Sequence, residues 1–393
     1  MRLKLNITNK LCEEVDFQLP NTTQEELDRK LEGVISTYFT RSTKHFPLLR
    51  ASLLCQMYGW CPWQGIVRDY YPTYPESEDE ELDDDEYYNL VESRAIMAKG
   101  TNLHKEDLKT RGDIKVSDEV RKLSVDKNLQ TIEKQSIKPT DLDKPTKDVF
   151  EDTRDDNDVV FVSKLKEHPE MIKRIVDLPK AQELRKEKPR YDDLQIATNI
   201  RNRFRQHTEL DQFRKGFSID ATEPAVFREL YIRSRYNGYN VFGHPDKVFV
   251  FMGMVIAVVE YKTVIKLLPK VIDKGKGYYE QALCCKYLAC QLFNTKDCHT
   301  FIVVRSQKSD APPLVDQFAG YPISAQGILD GAINLLRGKH TTITGECSRC
   351  SLNTRCPWAI DYDGGLTNKD LSPRECLEWF KEKSRWGIDS WRV

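Results

Sequence analysis

Two acidic residues and a lysine flank the apolar stretch in the middle of this chain. Asp246 stands before a run rich in β-branched and aromatic residues, and Glu260 and Lys262 stand at the end of a second run. The two runs span residues 247–252 and 254–259. A single glycine, Gly253, separates them, and this pattern predicts a β-hairpin that turns near the glycine.

The predicted hairpin brings the three charged groups together. Asp246 and Glu260 each lie seven residues from Gly253, so they should face each other with Cβ atoms about 4.5–5.5 Å apart. Lys262 falls on the same face as Glu260 because side chains alternate along a strand. Two such carboxylates can share Mg²⁺ or Mn²⁺, and the amine can orient a water or neutralise phosphate charge. The chemistry indicated is phosphodiester hydrolysis; the alternative is a hairpin whose polar ends simply reach solvent.

A second set of chemically competent residues lies near the end of the chain. Cys347, Cys350 and Cys356 have the spacing C-x-x-C-x5-C, and a proline follows the third cysteine, as one follows Cys61. Disulfides are rare in reducing compartments, so this spacing favours a metal or cluster site with Cys61 as fourth ligand. Cys55 is an alternative to Cys61. Four thiolates suit tetrahedral Zn²⁺ as well as an iron–sulfur cluster.

Composition restricts the function classes. Of the 393 residues, 31% are charged, and the formal net charge is −1. Nucleic-acid binding would therefore have to come from local patches. No run of about 18 apolar residues and no secretory leader is visible, so we expect a soluble intracellular protein without a membrane partner. The cysteine content in such a protein favours metal ligation and buried thiols over a disulfide framework.

Four further residues are candidates for the same site. His104 follows Gly100 by four residues on a predicted helix, so the two share one face. Glu229 lies in a predicted strand over 227–234, and Gln281 opens a predicted amphipathic helix that also carries Tyr287. Each of these residues has an ordinary structural interpretation when taken singly.

A charged stretch separates these motifs. Residues 107–222 are rich in Lys, Asp, Glu and Thr, so we predict an insertion that is partly disordered, up to about 157, and partly helical. A predicted helix over 191–215 carries several basic residues, which could be a solvated face or a contact for a DNA backbone. His207 on this helix could in principle replace His104.

In order and spacing, the motifs resemble the RecB-like branch of the PD-(D/E)xK nuclease superfamily. The resemblance implies that His104, Asp246 and Glu260 hold Mg²⁺ or Mn²⁺, with Lys262 positioning the attacking water. It implies that Gln281 steadies the substrate phosphate and that a glutamate such as Glu229 assists. The family helix carries Q-x-x-x-Y, but Cys285 stands where the tyrosine is expected and Tyr287 is displaced, which leaves the role of the tyrosine open.

The cysteine pattern resembles the iron–sulfur staple found in RecB-like exonucleases. These include the AddB nuclease domain, the exonuclease V family and the CRISPR-associated RecB-like exonucleases. The resemblance implies a [4Fe–4S] cluster held by Cys61, Cys347, Cys350 and Cys356, which joins the two ends of the nuclease domain. Such a bridge would close a very long loop. Zn²⁺ is the competing metal.

The combined prediction is an α/β, restriction-endonuclease-like fold: a mixed central sheet flanked by helices, with an iron–sulfur staple and a charged helical insertion. Residues 46–106 and 223–393 would form the nuclease domain, residues 1–45 a segment of unknown role, and 107–222 an insertion that could bind protein partners. The resemblance implies exonucleolytic hydrolysis of DNA, most simply single-stranded DNA, in repair or CRISPR-linked processes. The alternative is a non-catalytic iron–sulfur or zinc DNA-binding subunit of a repair or CRISPR-adaptation complex.

Overall fold

The structure is a computed structural model that describes residues 1–8, 11–39, 48–52, 54, 135–152, 158–264, 277–307, 312–317 and 324–336. Its first elements are β1 (Arg2–Asn6), β2 (Cys12–Asp16), α1 (Gln24–Phe39) and β3 (Leu48–Arg50). A 3₁₀ turn at Pro139–Asp141 leads to α2 (Lys144–Asp152), α3 (Asp158–Glu167), α4 (Pro169–Val176), α5 (Pro179–Glu187) and α6 (Asp193–Gly216). Then follow β4 (Ala225–Arg228), β5 (Ile232–Tyr236), β6 (Tyr239–Gly243), β7 (Lys247–Phe251), β8 (Met254–Val264), α7 (Tyr278–Leu292), β9 (His299–Ser306), β10 (Leu314–Gln317) and α8 (Ala325–Leu336).

The main sheet is mixed. Among the described residues it has five strands in the order β10-β9-β8-β7-β4. The β8–β9 pair is parallel and the other pairs are antiparallel. Helix α7 packs on β8 and β9, as the crossover between two parallel strands requires. The predicted α/β class with a mixed sheet and flanking helices is confirmed.

The two faces of this sheet have different covers. Val248 and Val250 of β7 point into a core shared with α1, α6, α7 and α8. Phe249 and Phe251 point the other way, into a core shared with Leu5 of the β1–β2 hairpin. The alternation follows from the two-residue period of a strand. The first residues of the chain, for which the sequence indicated no role, therefore form one cover of the main sheet.

A bent β-ribbon connects the main sheet with a smaller one of order β3-β6-β5. In the small sheet Ile232 pairs with Gly243, and in the main sheet Arg228 pairs with Lys247. The two pairs are four positions apart on both strands, so they belong to one continuous antiparallel register. The predicted single strand over 227–234 was wrong in this respect: it is broken at Glu229, whose positive φ of 48° turns the chain from one sheet to the other.

Helices α2–α6 surround a core of their own, which includes Phe150, Phe161 and Phe204. The longest of them, α6, begins at a capping box in which Asp192 accepts from the backbone N–H of Gln195. Its second half joins the core of the main sheet through Phe213. None of the helices in the described part of the chain combines the length and apolar character that a bilayer crossing requires.

Candidate active site

The turn of the β7–β8 hairpin contains two residues and not one. Met252 and Gly253 both have positive φ, 47° and 71°, as in a type I′ turn. If the register next to this turn continued unchanged, Asp246 would face Val259. The strand pair therefore needs a further irregularity to bring two carboxylates together.

A β-bulge supplies this irregularity. The register shifts between Phe249 and Val250, and Ile256 is the extra residue on β8. Beyond the bulge Lys247 pairs with Val259, and the next step of the same register sets Asp246 opposite Glu260. Bulges commonly redirect side chains beside functional sites.

Glu260 is fully buried and only partly satisfied. Its Oε2 accepts a hydrogen bond, but nothing in the described part of the chain hydrogen-bonds its Oε1. Burial raises the pKa of Glu260 to about 8, and the nearby charge of Asp246 adds to the rise. Lys262 and the thiol of Cys285 oppose it, although that thiol makes no hydrogen bond of normal geometry to Oε1. A buried carboxylate with an unpaired oxygen is costly unless a cation or a proton compensates it.

Lys262 and Gln281 form a closed network with Glu260. The Lys262 amine donates to Gln281 Oε1 at 2.8 Å, and Gln281 Nε2 donates to Glu260 Oε2 at 3.1 Å. The amine lies 3.5 Å from the same Oε2 and 5.7 Å from the ring centre of Tyr278. Both ends of the Gln281 amide are thus used inside the site, so it fixes the lysine and the glutamate relative to each other.

Asp246, the residue just before β7, is held by backbone contacts. Its Oδ2 accepts from the backbone N–H of Tyr261 at 2.5 Å. Its carbonyl oxygen accepts from the N–H of Glu229 at 3.1 Å, which continues the bent ribbon through its break. Glu229 therefore lies level with Asp246 and Glu260, and its charge contributes to the raised pKa of Glu260.

Two residues that were not predicted from the sequence support Asp246 and Glu260 from the opposite face of the sheet. Lys247 donates from Nζ to the carbonyl oxygen of Ile7 at 2.6 Å, and the hydroxyl of Tyr261 donates to the same oxygen. The Lys247 amine also lies 5.3 Å from the ring centre of Tyr261. These contacts join the N-terminal hairpin to the strands that carry Asp246 and Glu260. The sequence did offer one sign of this role, because Lys247 is a charged residue at the start of an apolar run.

The displaced tyrosine does not reach the site. Tyr287 packs edge-to-face on Tyr236, with ring centres 6.0 Å apart. Cys285, one helical turn after Gln281, faces Glu260 instead, and burial raises its pKa well above the usual range. Cys284 and Cys290 are also buried, as small apolar residues would be.

The other predicted ligands fall on parts of the chain for which no structure is given. His104, Cys61, Cys347, Cys350 and Cys356 lie outside the described residues. Within the described ranges, no three side chains among His, Cys, Asp and Glu are gathered closely enough to hold a metal ion by themselves. A complete coordination sphere at Asp246 and Glu260 would therefore need further ligands, such as water or a backbone carbonyl.

The basic helix α6 does not present a continuous cationic face. Arg201 is buried, with its guanidinium 4.6 Å from the ring centre of Phe161. Arg203, Arg205 and Arg214 form ion pairs with Glu187, Glu209 and Asp211, respectively. His207 lies between Ser136 and Asp211. These contacts favour a structural role for the cluster over a DNA contact.

The comparisons with known proteins are distant. No family model matches the chain, and no curated protein matches it. Among solved structures, the protein SSO0001 superposes with a TM-score of 0.32 and 11% identity, covering 87% of this chain and 100% of its own. A candidate exonuclease from Eubacterium rectale gives a TM-score of 0.24 and 11% identity, covering 50% of this chain and 74% of its own. Similarities of this size leave the assignment to the geometry of the site.

Proposed function

We propose that this chain is a divalent-metal-dependent DNA nuclease of the PD-(D/E)xK type, with Asp246, Glu260 and Lys262 as its central residues. The observation that carries the proposal is that Oε1 of the buried Glu260 has no hydrogen-bond partner among the described residues. Glu260 faces Asp246 across the bulged hairpin, and its other oxygen, Oε2, lies 3.5 Å from the Lys262 amine. Purely structural glutamates are rarely left buried and half satisfied.

The donor set fits a small divalent cation. Mg²⁺ usually keeps several waters and binds through one or two carboxylates together with substrate phosphates. Asp246 and Glu260 supply two carboxylates. A cation between them would bind the Glu260 oxygen that lacks a partner among the described residues, and it would offset both the burial and the repulsion from Asp246 that raise the pKa of Glu260. His104 and the backbone carbonyl after Glu260 are the further ligands that we propose. The cation would polarise the scissile phosphate and lower the pKa of a bound water.

The protein side chains would orient this chemistry. The Lys262 ammonium, held by Gln281 at 2.8 Å, carries three N–H donors of the kind that bind water and phosphate oxygens. It can orient the attacking water and balance negative charge that develops on the phosphorus substituents. Gln281 acts through Lys262 and Glu260, so we assign it a positioning role in addition to the contact with phosphate that the family resemblance implies.

The finer features of the proposal rest on the family resemblance. We propose single-stranded DNA as the substrate, degraded from an end, and a [4Fe–4S] cluster on Cys61, Cys347, Cys350 and Cys356, with Zn²⁺ as the alternative metal. We also propose that the 107–222 segment binds protein partners.

The test is release of nucleotides from end-labelled single-stranded DNA with Mn²⁺. We expect Asp246→Ala and Lys262→Ala to reduce the rate by more than about a hundredfold. Asp220→Ala and Lys296→Ala change an exposed aspartate and an exposed lysine and should behave as the unchanged protein does. Equal rates in all five proteins would exclude the proposed site, and activity that persists in excess chelator would exclude the proposed metal dependence.

A further inference from the structure

The exposed face of the small sheet carries a row of arginine and aromatic side chains. Arg50, Phe242 and Arg233 lie side by side across β3, β6 and β5, because Phe242 pairs with both arginines. Both arginines are exposed and Phe242 is half-buried. The Arg50 guanidinium lies 5.6 Å from the ring centre of Phe242.

A second row lies beside the first, on the side of the active site. Tyr231 and His244 have ring centres 4.8 Å apart, and Tyr231 lies 5.8 Å from Phe242. Arg233 donates to the Tyr231 hydroxyl at 2.7 Å and lies 5.6 Å from the centre of its ring. The rings and guanidinium groups therefore form one continuous patch, which we call the Arg–aromatic face.

The Arg–aromatic face leads directly to the carboxylates. Tyr231 follows Glu229 by two residues, and His244 precedes Asp246 by two residues. Glu229 and Asp246 are joined by a backbone hydrogen bond. Along the bent ribbon, this pair is therefore followed by Tyr231 with His244 and then by Arg233 with Phe242. His244 also lies close enough to Asp246 for the charge of that carboxylate to act on the imidazole ring.

We propose that the Arg–aromatic face binds single-stranded DNA and guides it to Asp246 and Glu260. The positive charges of Arg50 and Arg233 are complementary to phosphates, and the rings of Tyr231, Phe242 and His244 are complementary to unpaired bases. Rings interleaved with arginines bind single strands without sequence preference, because every base has a stacking face. Duplex DNA conceals those stacking faces, so we expect this surface to bind single-stranded DNA in preference to duplex DNA. The proposal deepens the nuclease assignment and rests on it.

The test is equilibrium binding of a fluorescein-labelled thymidylate oligomer, measured with chelator so that no cleavage occurs. Tyr231→Leu should weaken binding about tenfold and leave its salt dependence unchanged, whereas Tyr231→Phe should retain the affinity. Arg233→Gln should weaken binding and lower the slope of log K against log salt by about 0.7. Arg190→Gln and Tyr191→Leu change an exposed arginine and tyrosine elsewhere on the chain and should have no effect.

Unchanged binding in Tyr231→Leu and Arg233→Gln would overturn the proposal. So would an equal loss of affinity for a duplex of the same length, because stacking on unpaired bases would then not be the interaction removed. These outcomes are separate from a failure of the nuclease assignment, which would appear as hydrolysis that survives Asp246→Ala. Circular dichroism of each variant distinguishes loss of binding from loss of fold.

Discussion

At the scale of single residues, Glu260 determines what the site can do. Its carboxylate is fully buried, yet Asp246 stands opposite and one of its oxygens has no hydrogen-bond partner in the described part of the chain. Lys262 alone does not compensate this cost, since the pKa of Glu260 remains raised to about 8. Without a cation, most of the protein therefore carries a proton on Glu260 near neutral pH.

The raised pKa predicts a pH-dependent stability in metal-free protein. Because the folded-state pKa lies above the unfolded one, the stabilisation is complete below about pH 4.5 and is lost as pH rises to about 8. Glu260→Gln cannot ionise, so its free energy of unfolding relative to wild type should rise over this window by a few kcal/mol. Urea unfolding in chelator at about pH 5 and about pH 9 measures the difference; a constant difference would contradict the prediction.

Gln281 should matter through the groups that it holds. Gln281→Ala removes the acceptor for Lys262 and the donor to Glu260, so we expect the rate of hydrolysis to fall about 10- to 100-fold. Gln291→Ala changes an exposed glutamine on the same helix and provides the matched control. Single-turnover kinetics with saturating DNA measure the effect. A loss confined to DNA affinity would instead favour the simple phosphate contact.

At the scale of elements, the hairpin shows what sequence reasoning could and could not supply. The apolar runs predicted both strands, and counting from Gly253 predicted that Asp246 faces Glu260. The register of β7 and β8, extended one step beyond Lys247 and Val259, leads to the same pair because two departures cancel: the turn includes Met252, and the bulge at Ile256 restores the register. Neither departure has a local sequence signal, since bulge position depends on how both faces of the sheet pack.

The break at Glu229 was missed for a related reason. Residues 227–234 have the composition of one strand, and the antiparallel register does continue through the break. What changes is the sheet to which each half belongs: β4 pairs with β7 in the main sheet, and β5 pairs with β6 in the small sheet, which β3 completes from a distant part of the sequence. The arginines of α6 were also only partly predictable, because their partners Glu187 and Phe161 lie on other helices.

The contact between the N-terminal hairpin and the main sheet predicts a non-additive pair of substitutions. Lys247 and Tyr261 both donate to the carbonyl oxygen of Ile7, so either one can satisfy it when the other is changed. We expect Lys247→Met and Tyr261→Phe each to cost less than about 1 kcal/mol. The double variant should lose about 1–3 kcal/mol beyond their sum, because the carbonyl is then buried without a donor. Chemical denaturation of the four proteins measures this coupling, and additive costs would contradict it.

At the scale of the whole molecule, two covers and a bent ribbon position the site. Helix α7 brings Gln281 to one face of β8, and the N-terminal hairpin supports the other face through Ile7. The bent ribbon extends from the carboxylates to the small sheet, where the Arg–aromatic face lies. The segments 55–134 and 337–393, which contain the predicted cluster ligands, lie outside the described residues.

The proposed cluster makes a prediction at this scale. Anaerobically purified protein should be brown and contain iron, and Cys350→Ser should lose the colour and melt several degrees lower, because the long loop is no longer closed. Cys12→Ser changes an exposed cysteine and should leave both properties unchanged. Metal analysis with visible absorption and a melting curve decides the matter. A colourless protein that contains zinc would replace the cluster by the alternative metal.

The most direct test of the central claim is a crystal of the protein soaked in Mn²⁺ and measured for anomalous scattering. We predict one strong peak between Asp246 and Glu260, with carboxylate oxygens of both residues at about 2 Å. One of them should be Oε1 of Glu260, which no group in the described part of the chain hydrogen-bonds. The peak should be absent in Asp246→Ala. A well-ordered site without such a peak, or a peak bound elsewhere, would contradict the account.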